Sequence, residues 1–208
     1  LTGGKLKALP TSTTKSDSSI KRRMALVIDD RRLCLRYSAR IVDEVNVAPA
    51  PAWLRYRLES CGIRSINNIV DITNYVMLQT AQPLHASDLD RLVAKKIIVK
   101  TARPIATFTT LDGVERSLRA DDLLICDGDT PVALAGVMGG INSEVTASTR
   151  SILIESANFA PTSIRRTAKR LALHSEASHG FERGVDPLGT IEALNRAVYL
   201  LGEIAGSK

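Results

Sequence analysis

Aromatic side chains make up only 4% of the 208 residues, and the chain holds three cysteines and a single tryptophan. With so few rings, any core has to be aliphatic. Cys34, Cys61 and Cys126 are odd in number and lack C-x-x-C spacing, which argues against a disulfide framework and against a zinc knuckle. No apolar run approaches the roughly 18–20 residues that span a bilayer. The first residues also lack the apolar segment and small-residue cleavage site of a secretory signal. The expectation is a reduced, cytoplasmic protein with no membrane partner.

A broad excess of positive charge is missing too, once the charge is placed along the chain. Residues 1–23 carry Lys5, Lys7, Lys15, Lys21, Arg22 and Arg23 against Asp17 alone, so +5 of the +6 net charge sits in a short tail. The near-neutral remainder excludes a uniformly basic duplex-binding surface, and any nucleic-acid contact has to be local. The tail is rich in Ser, Thr, Gly and Lys without apolar period, the composition of a flexible linker. Residues 24–208 are expected to form one domain.

That body reads as mixed strand and helix. Residues 23–28 and 33–42 are strand-like. Pro49 and Pro51 introduce a helix with Trp53, Leu54, Leu58 and Cys61 on one side, and Ser65 is the expected cap of a second helix. A strand at 97–99 is followed by a hairpin over 107–118, turned by Asp112-Gly113, and by strands at 123–126 and 132–135. Residues 151–155 read as a strand that is apolar until Glu155. Pro161 opens a helix, and Asp186-Pro187 starts the last one. Strands in clusters with helices grouped at the ends predict an α+β fold of mixed or antiparallel sheets layered with helices.

Few of the polar constellations specify chemistry by spacing alone. His174 and His179 are five apart with no third ligand near them, which disfavours zinc. Gly136-Val137-Met138-Gly139-Gly140 matches neither a dinucleotide fingerprint nor a P-loop, and has no phosphate-binding lysine. It is either a tight turn or a place where backbone must approach a ligand closely. Glu155 is either a cap for the next turn or a site residue, and His85, in a predicted loop, is by default solvated.

Longer blocks carry more. The stretch from Cys61 to Leu78 (CGIRSINNIVDITNYVML) resembles the β subunit of bacterial-type phenylalanyl-tRNA synthetase. So do Gln82-Pro83-Leu84-His85-Ala86, Thr110-Leu111-Asp112-Gly113, Ala135 to Gly140, and Gly180-Phe181-Glu182-Arg183-Gly184-Val185-Asp186-Pro187, all in the family's order. The resemblance covers the B3/B4, or editing, region of that subunit. It implies hydrolysis of mischarged Tyr-tRNA(Phe) by a positioned water, with neither metal nor covalent nucleophile. Glu155 is implied as the acceptor for the tyrosyl phenol, and His85 as a group that binds substrate or orients water. Thr73 and Asn74 are implied to line the pocket, Gly136 and Gly139 to form its close wall, and Ser175 and Ala177 its small-residue wall. The implied partners are the 3′ end of tRNA(Phe) and an α subunit in an α2β2 synthetase. ATP and Mg2+ are implied for that parent enzyme and no cofactor for this segment. Ser87 and Gly180 depart from the family's usual Phe and Arg. A free-standing trans-editing factor and a structural module with an inactive pocket are the alternative readings.

Overall fold

The computed structural model describes residues 8–11 and 23–207. Among these residues, ten strands and five α-helices follow one another. They are β1 (Ala25–Ile28), β2 (Cys34–Val42), α1 (Ala52–Ser60), α2 (Asn68–Thr80), β3 (Leu84–Asp88), β4 (Lys96–Thr101), β5 (Thr107–Thr109), β6 (Glu115–Ser117), β7 (Leu123–Asp127), β8 (Thr130–Leu134), β9 (Met138–Gly139), β10 (Ile152–Phe159), α3 (Pro161–Leu171), α4 (Glu176–Arg183) and α5 (Gly189–Ala205).

β10 is flanked on both edges, antiparallel to β2 on one side and to β3 on the other. Its side chains therefore alternate between two buried faces. Ile152 and Ile154 point into an aliphatic cluster with Leu54, Ile69, Ile72, Val76, Leu194 and Leu201 of α1, α2 and α5. Leu153 and Ala157 point the other way, into a cluster with Val99, Leu124, Ile125 and Leu134 of the second sheet. That five-stranded sheet has the order β1-β4-β7-β8-β9, parallel between β1 and β4 and antiparallel elsewhere. The fold is thus α+β: helices, a three-stranded sheet and a five-stranded sheet in successive layers, with β5 and β6 as a separate hairpin.

Local chemistry sets the helix ends, in places differently from expectation. Asn67, not Ser65, caps α2: its side-chain oxygen accepts from Ile69 N at 3.1 Å and Val70 N at 3.0 Å. Ser65 instead donates to the Asp71 carboxylate at 2.5 Å. On α1 only Leu54 and Leu58 are buried, while Trp53 and Cys61 are exposed. Two elements go beyond the sequence reading. His85 stands in a strand, not a loop, and residues 176–183 form a helix that Ser175 starts with a capping box to Ser178. The strand read at 151–155 continues to Phe159, so Glu155 lies in its middle. Within the tail, Pro10 meets α5, where Arg196 Nη1 donates to its carbonyl at 2.8 Å. The other residues of the predicted linker below 23 lie outside the described ones.

Candidate active site

Extending β10 past Glu155 is what assembles a site. Glu155 pairs with His85 of β3 and with Ala39 of β2. Directly opposed residues share a face, with Cβ atoms about 4.5–5.5 Å apart. Both side chains therefore face the five-stranded sheet. His85 lines a cleft of about 70 Å3 with Pro83 and Leu84, with Ala133 and Leu134 of β8, with the turn from Gly136 to Gly139, and with Ala177 and Phe181 of α4. Four predicted residues, His85, Gly136, Gly139 and Ala177, thus share one cleft. Glu155 stands one strand further in.

The two glycines serve the cleft differently. A Cβ on Gly139 would lie 2.7 Å from His85 Cε1 and 2.8 Å from Nε2, so its absence is what lets the imidazole seat. Gly136 has φ +67°, the left-handed region, and a Cβ there would meet Phe181, Ile164 and Phe159 at 2.9–3.1 Å. It clears space for the core as much as for the cleft. Ser175 reaches the same turn from the other side, its hydroxyl donating to the Val137 carbonyl at 2.9 Å while accepting from Ser178 N. Thr73 and Asn74 are not among the cleft walls. They lie on α2, the helix that leads into β3, and the Thr73 hydroxyl is spent on the Val70 carbonyl at 2.7 Å. Ser87 is buried on β3, and a side chain on Gly180 would begin 3.2 Å from Pro83 Cγ.

Burial sets the charge states. It pushes the His85 imidazole down to about 4, so the ring is neutral at pH 7. Glu155 is pushed up to about 7 by the same cause, opposed by a hydrogen bond from Tyr37. The carboxylate does not wait for a donor from outside, because Tyr37 Oη donates to Glu155 Oε2 at 2.5 Å. Tyr37 is the residue the sequence reading passed over. Its signal was a polar-tipped ring on the buried face of a strand, which requires a partner. His174 and His179 stack at 6.0 Å, and His179 Nδ1 lies 3.2 Å from Glu182. Among the described residues no three His, Cys, Asp or Glu side chains are placed to hold a metal ion.

A larger concavity, about 440 Å3, lies between α1 and α2, lined by Tyr56, Arg57, Ser60, Cys61, Tyr75, Leu78 and Gln79. It gathers none of the predicted residues. Its floor is internally satisfied, with Tyr75 Oη accepting from Arg57 at 2.6 Å and from Gln79 at 3.1 Å.

Comparison with known proteins converges on one family. The B3/4 domain matches residues 33–206. The phenylalanine–tRNA ligase β subunit of Geobacter metallireducens is 50% identical over 206 residues, 99% of this chain and 26% of its own length. That of Anaeromyxobacter dehalogenans is 56% identical over 173 residues, 83% of this chain and 22% of its own. The chain therefore spans about a quarter of the relatives it matches. Among solved structures, an N-terminal fragment of the phenylalanyl-tRNA synthetase β subunit from Pyrococcus horikoshii has a TM-score of 0.59. It is 15% identical, over 98% of this chain and 53% of that one, and so shares the fold. No helix among the described residues is long and apolar enough to cross a membrane. With the domain match running over most of its length, this chain belongs to the B3/4 domain family.

Proposed function

We propose that this chain is the editing domain of a cytoplasmic phenylalanine–tRNA ligase β subunit and hydrolyses Tyr-tRNA(Phe). The observation that carries the reading is chemical: a half-buried carboxylate, Glu155, already accepts a phenolic hydroxyl beside a neutral imidazole at a cleft. A pocket for phenylalanine discriminates poorly against an isostere that only adds a hydroxyl, by about 10². A second site with a buried acceptor inverts that selection, because phenylalanine leaves the acceptor unpaired.

In this reading Glu155 takes the tyrosyl phenol, Gly139 and Ala177 leave room for the aminoacyl end, and the Ser175 hydroxyl fixes the turn that carries Gly136 and Gly139. Thr73 and Asn74 stand on α2, outside the cleft walls, and no step is assigned to them here. His85, held near 4, is a weak base at pH 7 and acts by orienting water. The water oxygen adds to the ester carbonyl carbon, the bond to the terminal ribose oxygen breaks, and that oxygen leaves with a proton. The products are tyrosine and tRNA(Phe). Neither ATP nor Mg2+ suits the residues here, since the Gly136–Gly140 turn has no lysine and, among the described residues, no three His, Cys, Asp or Glu side chains gather to hold a metal ion. Both belong with the activation step, assigned with the α subunit and tRNA(Phe) to the complete synthetase.

The test is deacylation by that synthetase carrying Glu155→Ala. Hydrolysis of Tyr-tRNA(Phe) should fall by about ten- to a hundredfold, the range set by one hydrogen bond to a charged group. Phe-tRNA(Phe), which never made that bond, should change far less. Equal losses on both substrates would mean that Glu155 supports the fold and does not read the hydroxyl.

A further inference from the structure

Glu155 has two carboxylate oxygens, and the fold occupies one. Tyr37 Oη donates to Oε2 at 2.5 Å. The register sets this up: Tyr37 pairs with Ala157 and Ala39 with Glu155, so Tyr37 and Glu155 stand diagonally on one face of the sheet. Diagonal neighbours lie about 7–8 Å apart, within reach of an aromatic side chain. The Tyr37 ring is 7% exposed and packed in the cluster between the two sheets. Swinging it aside to admit a substrate would expose a large apolar ring, so the ring stays and the substrate has to use what it leaves free.

We infer that Tyr37 is a positioning residue for selectivity, holding Glu155 by Oε2 so that Oε1 is presented as the acceptor for the substrate's phenol. The inference deepens the editing reading and rests on it. It makes the site a carboxylate shared between two phenols, one built in and one delivered by the aminoacyl end.

The surroundings give this bond a second effect. The titratable groups beside Glu155 are Cys34 and Tyr37 from β2 and His85 from β3. None is a cation at neutral pH: burial pushes the Cys34 thiol up to about 12 and the Tyr37 phenol well above its usual range, and His85 down to about 4. The cleft's other walls, from β8, the Gly136–Gly139 turn and α4, are apolar or glycine. The Tyr37 bond is therefore the contact that favours the ionised carboxylate, opposing a burial that holds it near 7. Without the hydroxyl, the balance at Glu155 shifts further toward the protonated acid, which donates where the carboxylate accepts.

The experiment compares wild type, Tyr37→Phe, Glu155→Ala and the double variant in the complete synthetase. It reads single-turnover deacylation of Tyr-tRNA(Phe) and Phe-tRNA(Phe) from pH 6 to 9. Tyr37→Phe should slow Tyr-tRNA(Phe) hydrolysis about tenfold at pH 7 and move the acidic limb of the profile to higher pH. The double variant should be no slower than Glu155→Ala alone. Phe keeps the ring. Should the melting temperature nevertheless fall, enzyme made with 3-fluorotyrosine tests the same bond through a stronger donor and should move the limb to lower pH. An unchanged limb in both preparations, a Tyr37→Phe loss equal on the two substrates, or a faster Tyr37→Phe enzyme overturns the inference. Undiminished selectivity in Glu155→Ala would overturn the editing reading itself, a separate outcome.

Discussion

Burial moves His85 and Glu155, cross-strand neighbours, toward neutrality from opposite sides, and folding stability has to register both. Glu155 rises from 4.5 to about 7 in the fold, so its contribution is present below 4.5 and is lost as pH climbs through 7. His85 falls from 6.5 to about 4, so its contribution is present above 6.5 and is lost as pH drops through 4. Between about 4.5 and 6.5 the two oppose and flatten the wild-type profile. Glu155→Gln should therefore gain melting temperature relative to wild type from pH 5 to pH 8. His85→Gln should gain on acidification from pH 7 to pH 4. Thermal melts across that range check both, and offsets independent of pH would show that neither group titrates as described. Glu155 was legible in the sequence as a carboxylate among Ile152, Leu153 and Ile154, and His85 from its Gln82–Ala86 block. Tyr37 was legible only as a hydroxyl in need of a partner; which partner was not, because the bond joins residues 118 apart.

Elements with strong periodic or turn signals were the readable ones. The hairpin over Asp112-Gly113, the Pro161 helix and the long C-terminal helix fall where composition puts them. β3 was missed because Leu84-His85-Ala86-Ser87-Asp88 has neither β-branched residues nor a clear alternation. It is a strand because β10 offers it an edge. α4 was missed because its Gly180 and Ser178 read as loop, whereas the Ser175 capping box supplies the start that propensity does not. The Gly136–Gly139 turn stayed ambiguous between packing and ligand approach, and each glycine turns out to weigh differently. Gly139→Ala should keep the fold and displace the His85 ring, lowering Tyr-tRNA(Phe) deacylation with little change in melting temperature. Gly136→Ala combines a positive φ with a crowded Cβ and should destabilise by about 1–3 kcal/mol. Paired melts and deacylation rates separate the two, and an unstable Gly139→Ala with an intact His85 environment would reverse the assignment.

Layering explains how a chain with so few rings holds together: β10 is shared by two cores, an aliphatic one with Tyr75 toward the helices and one toward the five-stranded sheet that gathers all three phenylalanines and Tyr37. It also sets how far the segment before β1 belongs to the domain. Its composition reads as linker, yet Pro10 brings a carbonyl to Arg196, which is only 7% exposed on α5. Recognition of a backbone carbonyl carries no residue signature, so this attachment was not readable. Arg196 is held as well by Gln79 Oε1, at 3.1 Å from Nε, and its guanidinium lies over Tyr199 at 5.5 Å. Deleting residues 1–11 therefore leaves the arginine in place with one donor unpaired. The loss should be about 1.5–3 kcal/mol, the worth of a bond from a charged donor, or roughly 3–12 °C of melting temperature at this chain length. In an Arg196→Met background the same deletion should have almost no further effect, because the donor it orphans is already gone. Melts of the four proteins decide the point. An equal drop in both backgrounds would mean that residues 1–11 contribute through something other than the Arg196 bond.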